Sequence, residues 1–122
     1  MTARALTDAH LPPHSPEVWD AQRLASLLAD VGEAGLRDVL RLFLADVPVL
    51  LSQLAAAGVS GNPAAALAVL ATIQDSAEAL GLAALAAVVR GLRDDPLSAL
   101  GPSLLAQDVA RIRYVPTLKQ AS

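Results

Sequence analysis

Apolar residues recur along this chain at three- and four-residue steps, the spacing that lays them along one side of an α-helix. After Asp20, a residue type that caps helix starts, Leu24, Leu27, Leu28 and Val31 keep that spacing up to Gly32. They predict a first helix. The longest run follows: Leu36, Val39, Leu40, Phe43, Leu44, Val47, Leu50, Leu51 and Leu54 form one continuous stripe, with Arg37, Asp38, Arg41 and Asp46 off it. This predicts a long amphipathic helix. Pro48 falls inside the stripe. Proline removes one ladder hydrogen bond and crowds the preceding turn, so a kink, or a restart capped by Asp46, is expected there. Gly58 to Gly61 then interrupt the pattern.

Asn62 followed by Pro63 is a cap and a first-turn proline, so a new helix is expected, with Ala66, Leu70, Ile73, Ala77 and Leu80 on its inner face. Gly81 marks a tight spot or a bend. Beyond it Leu82, Leu85, Val89 and Leu92 continue until Asp94, Asp95 and Pro96. A last helix is expected from about Pro102, with Leu105, Val109, Ile112 and Leu118 inward and Pro116 disturbing its final turns. Helices joined by short turns predict an all-α fold, an antiparallel up-down four-helix bundle with an additional short N-terminal helix. Residues 1–15 carry no periodic pattern and include Pro12 and Pro13. They are read as a flexible arm before a single domain over residues 16–122.

Composition narrows the picture. Of 122 residues, 54% are hydrophobic and 17% charged, enough apolar surface to close one core. Aromatic residues are 2%, so Ala, Leu and Val must fill that core, which favours helices over strands. The absence of cysteine excludes disulfides, a thiolate nucleophile and Cys-ligated metal. A net charge of -3 without a dense Lys/Arg cluster argues against a nucleic-acid partner and leaves Arg90, Arg93, Arg111 and Arg113 as solvated face charges. The stretch between Asp46 and Asp75 has no charge, but Gly58, Ser60, Gly61, Asn62 and Pro63 divide it. Two buried helices, rather than a membrane span, are expected. The N-terminus lacks the basic start and apolar core of a secretory signal, so a cytoplasmic location is expected.

Candidate chemistry is sparse. His10 and His14 are the only histidines, four apart as in a helical metal pair, but Leu11, Pro12 and Pro13 between them prevent an ordinary helical turn. No metal site or cofactor is predicted. No serine, histidine and acid constellation suggests hydrolysis, and Asp75 and Glu78, three apart on a helix, read as surface charges. The chain is not expected to be an enzyme.

Two segments together carry a family resemblance. Phe43, Asp46, Pro48, Leu50, Leu51 and Leu54 give an aromatic, an acid and then spaced leucines, and the run from Ala71 to Gly81 is similar to the signature H-x-L-K-G-S-A-x-x-L-G. The chain thus resembles the histidine-containing phosphotransfer (HPt) family from about Trp19 to near the C-terminus in helix order and spacing. Ile73, Ser76, Ala77, Leu80 and Gly81 match the signature. Ala71 stands where the phosphorylated histidine would be, Gln74 where the lysine would be, and Asp75 where the first glycine would be.

The resemblance implies an HPt-like bundle and a partner that is a response-regulator receiver domain or histidine kinase of two-component phosphorelay signalling. At about 100° per residue, Ala64, Ala68, Ala71, Asp75 and Glu78 share a face opposite the inner stripe and, with Gln74, form the implied docking face. Position 71 is expected to point outward. An alanine methyl has no lone pair with which to attack an aspartyl phosphate, so no phosphotransfer is expected there. Gln74 can hydrogen bond but not neutralise, and Asp75 and Glu78 place negative charge beside the site. Ser76 is expected to permit close packing, its hydroxyl bonding to the preceding turn. The expected role is regulation by occupancy. The alternative is a structural or self-association module, its alanine-rich face buried against a second copy in a homodimer.

Overall fold

The computed structural model describes residues 18–112. The arm over residues 1–15, His10, His14, Arg113, Pro116 and Leu118 lie outside the described residues. Within them the chain forms helices α1 (Ala21–Ser60), α2 (Pro63–Leu80), α3 (Ala83–Leu92) and α4 (Gly101–Ala110), with no strand.

Helix α1 starts where Asp20 accepts hydrogen bonds from the backbone N–H groups of Gln22 at 3.0 Å and Arg23 at 3.1 Å. Those are two of the donors a helix start leaves unpaired. Gly32, at φ 76° and ψ 170°, divides α1 into an arm over residues 21–31 and a longer arm over residues 33–60. That is the boundary expected between the first two helices.

Pro48 makes no such break, since Gly32 alone is non-helical inside α1. Pro48 is exposed, so the ladder bond it removes lies on the solvent side, where water can take the freed carbonyl. The helix also runs through Gly58 and ends at Gly61, whose φ of 67° lets its N–H reach the carbonyls of Ala57 and Gly58. Val31 and Val39, placed on inward stripes by their spacing, are 48% and 44% exposed. Both sit at the edge of their stripe, beyond what the neighbouring helices cover.

Asn62 caps α2 by accepting from the Ala65 N–H at 3.1 Å, and Pro63 opens its first turn. The helix ends on Gly81 at φ 75°, and Gly81 with Leu82 alone joins it to α3. Helix α1 packs against α2 and α4, and α3 against α2 and α4, so the four close into a ring. Leu36, Leu70, Ile73, Leu82, Leu85, Val89 and Leu105 are fully enclosed in it. Each such leucine contributes about 1.5–3 kcal/mol by leaving water. Buried Ala57, Ala66, Ala77 and Ala86 lie between these larger side chains, and Val18 and Trp19 pack on the edge of the same core. By length and composition alone α1 is long and apolar enough to cross a membrane, a property shared by core helices of other folds.

The start of α1 meets the α2–α3 corner at Gly81. Its carbonyl accepts from the Asp20 N–H at 2.7 Å, and the Arg23 guanidinium donates through Nε to the Ala79 carbonyl at 3.1 Å. A Cβ built on Gly81 would lie 2.9 Å from Arg23 Cγ, whereas one on Gly61 would meet nothing within 4 Å. Both glycines hold a left-handed φ, which costs an alanine about 1–2 kcal/mol. Gly61→Ala should therefore cost about that much in urea unfolding. Gly81→Ala should cost measurably more, because Arg23 must also move.

Candidate functional site

The six residues of the expected docking face lie along α2, but not equally in the open. Ala64, Ala68, Asp75 and Glu78 are exposed, while Ala71 and Gln74 are half-buried. Position 71 is therefore on the shoulder of the face rather than at its outermost line. The cause is α3, which packs along this side of α2.

Arg93, directly after α3, donates to the Gln74 side-chain oxygen at 2.8 Å, and Arg90 of α3 donates to Glu78 Oε2 at 3.2 Å. Gln74 in turn donates through Nε2 to the same Glu78 oxygen at 3.0 Å. The result is a chain of four side chains, Arg93, Gln74, Glu78 and Arg90, spanning two helices.

This arrangement corrects the charge expected here. Spacing along α2 brings Asp75 and Glu78 together, and packing adds Arg90 and Arg93, so formal charges beside Ala71 balance. Arg90 and Arg93 keep much of their solvent, the Arg90 side chain being 56% exposed, but they are partners of the face as well as solvated charges. Next to them a shallow hollow of about 240 Å³ has Asp20, Glu78 and Arg90 on its lining.

The residues matching the signature fall into two groups. Ile73, Ala77 and Leu80 are buried in the core and Gly81 makes the turn to α3. Ser76 is half-buried, and among the described residues its hydroxyl makes no bond to the preceding turn. The bond of that kind on α2 is made by Thr72, whose Oγ1 donates to the Ala68 carbonyl at 3.0 Å.

A second polar position was not signalled by the sequence pattern. Asp108, on the inner side of α4, has a side chain 8% exposed and accepts from Arg111 at 3.1 Å. Burial pushes its carboxyl above the usual carboxylate range, with the Arg111 guanidinium pulling the other way. Asp108 lies one position before Val109 on the expected inner stripe, and its partner among the described residues is itself more than half exposed. It lines a cleft of about 460 Å³ between α3 and α4, whose walls include Val88, Leu92 and Leu104. Among the described residues, no group of three or more His, Cys, Asp or Glu is arranged to hold a metal ion.

Two consequences can be measured. Glu78→Gln should cost less than about 1 kcal/mol, an effect that shrinks in high salt, because the pairs it breaks are exposed. Asp108→Asn should show a pH signature. A folded-state pKa raised above the unfolded value adds stability below the unfolded pKa, and that stability is lost as pH rises through the folded one. The stability difference between variant and parent should thus shift in the variant's favour as pH rises above the unfolded carboxylate pKa and level off once it passes the folded one. A difference independent of pH would show that Asp108 titrates alike in both states.

No protein-family model, curated protein or solved structure matches the chain.

Proposed function

We propose that this chain is an HPt-like docking module of two-component phosphorelay signalling that does not itself accept a phosphoryl group. It acts by occupying a response-regulator receiver domain or a histidine kinase in the cytoplasm. The fold proposed with it is the antiparallel up-down bundle of that family, the arm over residues 21–31 serving as the additional N-terminal helix.

One observation carries the reading: the outward side of α2 offers Ala64 and Ala68, with Ala71 on its shoulder beside α3, at the register where the resembled signature presents its histidine. Small side chains let a partner helix approach closely, and the absence of an imidazole removes the nucleophile while leaving the surface. Arg90 and Arg93 give that surface balanced charge, which suits docking to a receiver's acidic end better than two carboxylates alone.

The test is phosphotransfer from a phosphorylated receiver encoded beside this chain, comparing the natural protein with its Ala71→His variant and recording complex formation in parallel. The natural chain should bind and take no label, and the variant should bind with similar affinity. Label on the natural chain would overturn the assignment. Neither label nor binding would leave a structural module with no relay role.

A further inference from the structure

An 18-residue window of α1 has mean hydropathy 1.8, yet 22% of it is buried by the rest of the fold. Much of what remains outside follows a rule. Val39, Leu42, Asp46, Val49, Gln53 and Ala56 are spaced three, four, three, four and three residues apart, and all are exposed. Leu42 is 67% exposed and Val49 58%. The set stands one position ahead of Leu40, Phe43, Val47, Leu50, Leu54 and Ala57, which repeat the same spacing inward, Leu50 half-buried and the others buried. Helix α1 therefore carries two adjacent seams of the kind that meets another helix, and the fold fills one.

The open seam runs into a groove of about 430 Å³ between the two arms of α1 and α2, with Leu27, Leu42 and Phe43 among its lining. Arg23 and Asp46 line that groove too, and no ion pair joins them. Arg23 uses Nε on the Ala79 carbonyl, and Asp46 has no hydrogen-bond or ion-pair partner among the described residues.

We infer that this face of α1 is a two-fold interface between two copies of the chain, Arg23 of each copy facing Asp46 of the other. A surface on which a cation and an anion stand unpaired with each other complements itself under a two-fold axis, where residue i meets j and j meets i. A lipid surface fits less well, since a helix lying on it needs an uninterrupted apolar face with basic flanks, and Asp46 and Gln53 stand within this seam.

From Val39 to Ala56 the seam is about 26 Å long at 1.5 Å per residue. One helix face of that length falls short of the ~800 Å² per partner of a stable complex, so the dimer is weak and reversible. This face contains none of the six residues of the α2 docking face, so the two proposals fail separately.

Sedimentation velocity on the full chain between about 10 and 500 µM reads this directly, the range suiting a weak interface. The sedimentation coefficient should rise with concentration. Arg23→Glu and Asp46→Lys should each weaken association about tenfold or more. An equimolar mixture of the two variants should restore it, because the mixed pair again opposes unlike charges at both contacts. Leu42→Glu, which leaves the Arg23 contacts alone, should abolish association while its helical circular dichroism stays unchanged. A constant monomer mass over the whole range overturns the inference. So does association that none of these variants weakens, and so does adsorption to phosphatidylglycerol vesicles by a chain that stays monomeric.

Discussion

The left-handed turn at Gly81 is the constraint on which the arrangement depends. Without a Cβ, residue 81 lets the Arg23 stem cross within contact distance, and this places Nε on the carbonyl of Ala79 at the end of α2. The carbonyls at a helix end carry partial negative charge, so a guanidinium there answers both an unpaired acceptor and the helix dipole. Asp20 adds a backbone bond to Gly81 itself. Together these contacts pin the first arm of α1 across the α2–α3 corner. The angle between the arms of α1, and hence the groove between them, follows from that pin and from the break at Gly32.

Small side chains set the second feature of the molecule. Ala77 of α2 and Ala86 of α3 are buried with little volume of their own, and small buried side chains let packed helices lie close. Closeness brings Arg90 and Arg93 within reach of Gln74 and Glu78. A larger side chain at Ala77 or Ala86 would act on the surface charges through the helix spacing, with no contact to either.

Helix ends were legible in the sequence because they are decided locally. Asp20, Asn62, Gly61 and Gly81 each act within four residues of themselves, and each does what its residue type suggests. No restart occurs at Pro48, because the effect of a proline depends on whether the lost bond faces water, which is a tertiary fact. The same holds for Val31 and Val39: periodicity finds the stripe but not how much of its width a neighbour covers. On α2, angular position placed Ala64, Ala68, Asp75 and Glu78 outward, but the contribution of Arg90 and Arg93 could not be read from α2 at all. Their three-residue spacing puts them on one side of α3, while the packing of α3 on α2 decides what that side meets. Asp108 was missed because one acid within an apolar pattern reads as the pattern's edge.

The scarcity of aromatic residues has a spectroscopic side. The chain has one tryptophan, Trp19, and it packs on the core edge directly before the Asp20 cap. An indole emits according to the water around it, so a single half-buried one reports on one place. Here that place is the junction of the first arm with the α2–α3 corner. Emission from this protein is therefore a local signal of whether that corner is closed, free of contributions from other tryptophans, and it can separate opening of the arm from unfolding of the ring.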